Sequence, residues 1–431
     1  MRQWMVAAKK ADFYAIAEKF HVDPVVARII RNREVIGEKN IRIYLGGNLS
    51  DLSDPHQMKD MDRLVEILAQ KIRKQVHIRI IGDYDVDGVT SSHLFLTALR
   101  RVGAKVDVVI PHRIQDGYGL SLHLLQQAKE DGVDTILTCD NGIAAIDEIA
   151  WAKAQKMTVL VTDHHAVPFE EHEGRRTEKK SLADAVVNPH QQDCGYPYKE
   201  LCGAGVAWNV IRVLYENYDM DKREAEDLLD FVAMATVCDV MSLTGENRIL
   251  VKEGLKRIRH TKNIGLQALM QACNVQPENI SAYHFGYVLG PCVNATGRLD
   301  TARHALRLFE TGQETEAEEI ARDLVDLNQE RKELTLQGVE MAKKLCEEGG
   351  YENDPVLVLF LPDVHESIAG LIAGRIREMY NRPVFVLTRG EEGVKGSGRS
   401  TENYSMYENM CGCAELFTKF GGHPMAAGLP L

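Results

Sequence analysis

The sequence predicts an α/β protein in which a parallel-sheet domain is joined by a long helix to a smaller α/β domain. Three observations carry this. Between positions 76 and 187, short β-rich runs alternate with helical stretches of about ten to fifteen residues. One highly charged, helix-forming stretch then runs from Glu314 to Glu348. After Gly349-Gly350 a second strand–helix–strand pattern begins.

In chain order, residues 1–75 read as a helical N-terminal segment. It ends in an amphipathic helix over Asp60–Lys74, with Leu64, Ile67, Leu68 and Ile72 on one face. Val76–Gly82 reads as a strand, followed by a helix over Val89–Val102 that stops at Gly103. Lys105–Ile110, Asp134–Cys139, Met157–Thr162 and Ala185–Val187 read as further strands, with helices expected over Leu120–Lys129 and Ile143–Gln155. Strands and helices alternating in this way make βαβ units and hence a parallel sheet. Residues 203–310 read as mostly helical, which gives a first domain over 76–310. The connecting helix, 311–349, carries Leu324, Leu327 and Leu334 on a narrow apolar face. In the second domain, 350–431, Val356–Leu361 and Val384–Leu387 read as strands around a helix over Ser367–Tyr380. Glycine-rich stretches follow at Gly396–Ser400 and Gly421–Pro424.

Composition narrows the class. Hydrophobic residues make up 45% and charged residues 26% of the 431 residues, so a large buried core is available. The formal net charge is −12, which excludes an overall basic field; nucleic-acid binding here needs a local basic surface. Nine cysteines without a CxxC pair argue against a disulfide framework and against a structural zinc site. Met1–Met5 runs into lysines without an apolar core, and no window reaches the roughly 20 apolar residues of a membrane span. A cytoplasmic, reduced protein is expected, with no membrane association.

The chemistry is expected at the carboxyl ends of the strands, where open parallel sheets bind ligands. The first strand runs into Asp83, Asp85 and Asp87, the second into Pro111-His112-Arg113, the third into Asp140-Asn141 and the fourth into Asp163-His164-His165. So many adjacent acids repel one another unless a positive charge sits among them. Mixed Asp/His donors point to Mn²⁺ or Mg²⁺. Asp239, after the apolar run Phe231–Cys238, is a further candidate donor. Blander readings stand beside this one. Asp83–Asp87 resembles the start of an EF-hand loop, but no glutamate occupies the twelfth place. Asp163-His164-His165 alone fits a capped turn with a core histidine, and Asp140 alone fits a strand-end turn.

Asp83-Tyr-Asp-Val-Asp-Gly-Val-Thr-Ser91, Thr138-Cys-Asp-Asn-Gly142, Thr162-Asp-His-His165 and Thr236-Val-Cys-Asp239 resemble, in order, the four motifs of the DHH phosphoesterases. Gly396-Ser-Gly-Arg-Ser400 and Gly421-Gly-His-Pro-Met-Ala-Ala-Gly428 resemble the DHHA1 domain that accompanies them. Gly245-Glu-Asn-Arg248, Asn294-Ala-Thr-Gly-Arg-Leu299 and Leu327-Asn-Gln-Glu-Arg-Lys332 are similar to the branch that degrades single-stranded DNA 5′→3′. The resemblance covers nearly the whole chain.

It implies a two-metal phosphodiesterase that releases mononucleotides from single-stranded DNA in repair and recombination. One ion would be held by Asp87, Asp140, His164 and Asp239, the other by Asp85 and the shared Asp140, with Asp83 open. Many relatives carry a histidine six residues before Asp87, where this chain has Ile81, so Asp83 or water completes that shell. Asp85, Asp140 and His165 would be catalytic, His165 acting on the phosphate or the hydroxide, or else supporting a ligand. Asn294, Arg298, Ser397, Arg399, Gly422 and His423 would contact the strand, the guanidinium groups by bidentate bonds to phosphate. Lys252, Lys256, Arg257, Arg259 and Lys262 form a basic segment that reads equally as phosphate-binding or as a solvated helix. The resemblance also implies a monomer with a helicase and a single-strand-binding protein as partners. Family members typically continue beyond this point into an oligonucleotide-binding fold, so a catalytic core or a short relative is expected. Two other readings remain: a DHH–DHHA1 phosphodiesterase acting on short oligoribonucleotides or cyclic dinucleotides, and an inactive DHH scaffold at the replication fork.

Overall fold

The structure, a computed structural model, describes residues 9–112, 116, 119–172, 175–299, 301–390, 393–418 and 420–430. Arg113 and Met1–Met5 lie outside them. The chain forms two compact units, one of Met1–Gly297 with Thr301–Arg322 and the other of Arg298–Asp300 with Asp323–Leu431.

The first unit is built on seven strands: β1 (Ile78–Ile81), β2 (Val106–Val109), β3 (Thr135–Cys139), β4 (Thr158–Thr162), β5 (Phe169–His172), β6 (Arg175–Glu178) and β7 (Ala185–Val187). Five of them form a sheet in the order β2-β1-β3-β4-β7, every pair parallel. All residues of β1 and β3 are buried, as expected of parallel strands covered on both faces. The chain winds from β1 outward to β2 and then returns to β3 on the other side. The strand order therefore reverses between β1 and β3, and a crevice opens at their carboxyl ends.

The parallel-sheet fold class is borne out, with two local differences. The helix expected from Val89 starts at Val86 and runs to Arg101. Asp85 caps it, its Oδ1 accepting from the Gly88 N–H at 3.0 Å. Asp87 thus sits in the first helical turn rather than in a loop. The antiparallel hairpin β5–β6 was not expected, because Phe169–Glu178 is mostly polar and shows no alternation.

Helices Gly203–Asn217 and Leu229–Cys238 pack against Val86–Arg101 and bury most of its residues. Helix Glu314–Gly349 begins in the first unit and ends in the second.

The second unit holds β8 (Leu357–Phe360), β9 (Val384–Gly390), β10 (Gly393–Arg399), β11 (Gly421–His423) and β12 (Ala426–Pro430) in the order β11-β12-β10-β9-β8. Only β8 and β9 are parallel. The glycine-rich stretches, to which the sequence assigned no element, lie mostly in β10 and β11. At Gly398 a Cβ would lie 2.4 Å from Met406 Sδ, so glycine here admits the neighbouring helix rather than marking a turn.

Candidate metal centre

Three strand ends and one helix end converge. From β1 come Asp83 and then Asp85 and Asp87 around the helix start. From β3 comes Asp140, whose φ of +61° is a left-handed conformation uncommon for a side-chain-bearing residue. The Asn141 amide holds that turn, donating to the carbonyls of Ile81 (3.1 Å) and Cys139 (2.9 Å) and so tying β1 to β3. From β4 come Asp163, His164 and His165. Asp239 follows helix Leu229–Cys238, its backbone N–H bonded to Ala235 O.

His164 Nε2 lies 3.1 Å from Asp140 Oδ1, 3.6 Å from Asp87 Oδ2 and 3.7 Å from Asp239 Oδ2. Asp87 is fixed from behind: its two oxygens accept the N–H groups of Gly203 (2.6 Å) and Ala204 (2.8 Å) at a helix start, a setting that favours negative charge. The approach requires glycine, because a Cβ on Gly203 would sit 2.7 Å from Asp140 Cβ. Asp163 points away from the cluster, one oxygen accepting from Ile143 N–H (2.9 Å) and the other from His165 Nδ1 (2.8 Å).

The electrostatics are those of crowded, buried carboxyls that raise one another. Burial first, then repulsion from Asp87, raises the carboxyls of Asp85 and Asp140, and the same two causes push Asp239 up to about 8. Burial holds His164 neutral. Burial opposes charge on His165 too, but the bond to Asp163 and the nearby acids outweigh it and raise the ring to about 9. For Asp163, burial is outweighed by the bond from His165, and its carboxyl stays below the usual range.

These residues fit divalent cations. Asp140 Oδ1 and His164 Nε2 are buried 3.1 Å apart and make no hydrogen bond among the described residues, which is costly unless something else binds them. Ligand atoms of Asp87, His164 and Asp239 lie within 4.8 Å of one another, as do those of Asp83, Asp85 and Asp140, and those of Asp140, His164 and His165. Asp140 belongs to two of these groups, one with Asp83 and Asp85 and one with His164 and His165. Oxygen donors with one or two imidazoles suit Mn²⁺ or Mg²⁺.

Family models match the chain twice: the DHH family, N-terminal domain, over residues 77–236, and the DHHA1 domain over 353–431. The single-stranded-DNA-specific exonuclease RecJ of Haemophilus influenzae is 36% identical over 95% of this chain and 72% of its own length. The chain belongs to the RecJ family. RecJ of Bacillus subtilis is 34% identical over 97% of the chain, which spans about half (51%) of that longer protein. The structure of Thermus thermophilus RecJ in complex with Mn²⁺ matches with a TM-score of 0.78 at 29% identity, covering 97% of this chain and 58% of that one. The same Thermus protein is also known in complex with Mg²⁺.

The other residues that the RecJ-like motifs single out are distributed more widely. Asn294 is in the first unit, but its Oδ1 accepts the Val86 N–H at 3.1 Å, so it braces the helix that carries Asp87. Arg298 groups with the second unit and donates to Ser367 O at 2.8 Å. Ser397 and Arg399 stand two apart on β10, where Arg399 Nη1 bonds Gly398 O at 2.7 Å. Pairing joins Arg399 to Ala426 and Ala426 to His423, so Arg399 and His423 share a row and a sheet face. Gly422 lies beside His423 on the edge strand. In the Gly245–Arg248 motif, Glu246 accepts from Tyr196 Oη (2.6 Å) and Ser53 N–H (3.1 Å), which ties the N-terminal segment down.

Two roles were not read from sequence. Asp163, singled out with the two histidines, orients His165 and is in none of the ligand groups, and the Gly203-Ala204 N–H pair seats Asp87. The small-residue run Gly203-Ala-Gly205 before a long apolar helix was the available signal for the second.

Proposed function

We propose that this chain is a metal-dependent exonuclease that hydrolyses the phosphodiester bonds of single-stranded DNA from the 5′ end, releasing mononucleotides. The observation that carries the proposal is Asp140, shared between two adjacent groups of ligand atoms. Two divalent ions bound there supply an activated water and neutralise charge on the phosphodiester oxygens. Asp87, Asp140, His164 and Asp239 would hold one ion, and Asp83, Asp85 and Asp140 the other. Asp83 thereby takes the place left by the histidine that Ile81 replaces. His165, kept cationic by Asp163, donates to a phosphate oxygen. Arg399 and His423, with Arg298, Ser397 and Gly422, track the strand, and Asn294 acts by positioning the first motif. No helix among the described residues is long and apolar enough to cross a membrane. The proposal includes a cytoplasmic monomer working with a helicase and a single-strand-binding protein in repair and recombination, as the family resemblance implies.

The test incubates the chain with 5′- and 3′-end-labelled DNA and RNA strands in Mn²⁺. Early mononucleotide release from the 5′-labelled DNA end supports the proposal. Early release from the 3′ label, cleavage of RNA dimers alone, or no cleavage would overturn it, the second outcome favouring an oligoribonuclease and the third a scaffold.

A further inference from the structure

Ala282–His284, Phe285–Leu289 and Gly290–Leu299 follow one another as a continuous helical rod. Three contacts lay this rod along the ligand cluster. A Cβ on Gly290 would lie 2.3 Å from Sγ of Cys238, the residue before Asp239. Asn294 holds the Val86 N–H, between Asp85 and Asp87. A Cβ on Gly297 would lie 2.5 Å from Tyr84 O, between Asp83 and Asp85. The turns before Gly290 therefore extend past the cluster on its Asp239 side.

Those first turns carry two unusual features. Phe285–Leu289 is π-helical, a rare geometry frequently found at functional sites. Cys238 Sγ donates to Phe285 O at 3.3 Å, which fastens this segment to helix Leu229–Cys238. Phe285 and Leu289 are buried, whereas Tyr283 and Tyr287 are 62% and 72% exposed. The two tyrosine rings stack, with centroids 5.1 Å apart and planes 25° apart. His284 meets Tyr283 edge-on at 5.7 Å. Tyr287 has no second ring neighbour among the described residues, so its outer face is open.

An exposed aromatic stack suits a nucleobase, because every base has a π face and the pair is already ordered. Stacking also adds affinity without charge, in a chain of net charge −12. Two rings alone fall well short of the roughly 800 Å² per partner of a stable protein interface. An internal base of a duplex is stacked on both faces already, so the pair favours single strands. Tyr287 precedes Gly290 by three residues and Asn294 by seven, about 5 and 10 Å along the axis. At about 3.4 Å per stacked nucleotide, this is about two or three nucleotides from the cluster.

We propose that Tyr283 and Tyr287 form a base-stacking platform for the single-stranded substrate. A base about two or three nucleotides from the scissile phosphate stacks on the open face of Tyr287. That the bound strand is a substrate rests on the exonuclease reading above.

Fluorescence anisotropy of the full chain in Mn²⁺ tests this with 5′-phosphorylated phosphorothioate strands, which resist hydrolysis. The strands are intact or carry abasic sites at the second to fifth nucleotides. Tyr283→Ala/Tyr287→Ala should weaken the intact strand about tenfold, while Tyr283→Phe/Tyr287→Phe binds like the parent. The abasic strand should bind the parent about tenfold more weakly than the intact one, and the alanine variant should barely distinguish them. Parent-like affinity of the alanine variant would overturn the proposal and leave the pair to a protein partner. An equal abasic penalty in both proteins would overturn it too. Digestion of an ordinary strand by the parent is a separate arm. No mononucleotide release there defeats the exonuclease reading, while the binding comparison still decides the platform.

Discussion

Asp163 Oδ1 lies 2.8 Å from His165 Nδ1 and also accepts the backbone N–H groups of His164 and His165. One carboxylate thus fixes both the turn that presents the two histidines and the charge of the second. It orients a group in the site without joining the ligand cluster, as carboxylates behind metal-site histidines generally do.

Asp163→Asn should therefore lower kcat by about 10- to 100-fold with little change in the number of ions bound. Steady-state kinetics paired with metal analysis checks this. Loss of bound metal matching the loss of rate would instead make Asp163 a ligand.

Gly203→Ala brings a methyl group to within 2.7 Å of Asp140 Cβ and shifts the helix start that seats Asp87. The expected cost is about 1–3 kcal/mol of stability from overpacking, with a disproportionate loss of Mn²⁺ affinity. Thermal melts with and without Mn²⁺ measure both, and unchanged affinity would show that the helix start does not position the ligands.

Arg399→Lys preserves charge but not the two-pronged geometry of a guanidinium. KM for single-stranded DNA should rise several-fold with kcat nearly unchanged. In Arg399→Ala the salt dependence of strand binding should shallow by about one unit of slope. An unaltered slope would remove Arg399 from phosphate contact.

Asp230 supplies a pH prediction away from the ligand cluster. Burial raises its carboxyl to about 6, above the ordinary 3.8. A raised carboxyl contributes its full stability below the unfolded value and loses it as pH climbs through the folded one. The loss spans about pH 4 to 6 and amounts to about 3 kcal/mol. Asp230→Asn should match the parent near pH 4 and exceed it at pH 7 in denaturant unfolding. An equal difference at both pH values would contradict this.

Periodicity exposed the parallel sheet because its strands are short, β-branched and separated by amphipathic helices. The convergence of the acids was legible for a related reason: all but Asp239, which follows a helix, come at or just after a strand end, and the strand order brings those ends together. Asp85 was read as a ligand, but its capping of the helix from Val86 was not, since a helix cap and a metal ligand look alike in sequence. The seating of Asp87 on Gly203 and Ala204 joins residues more than a hundred positions apart, which no local pattern records. Strands β10–β12 were missed because glycine usually weakens a strand. Here it is kept by close neighbours such as Met406.

The central claim is that Asp140 is shared between two ions. Mn²⁺ titration of the metal-free chain, with the sites located by anomalous diffraction, tests it most directly. Two ions about 3.5–4 Å apart on either side of Asp140, with occupancy falling at both in Asp140→Asn, is the predicted result. A single ion, or two ions retained unchanged in Asp140→Asn, would contradict it.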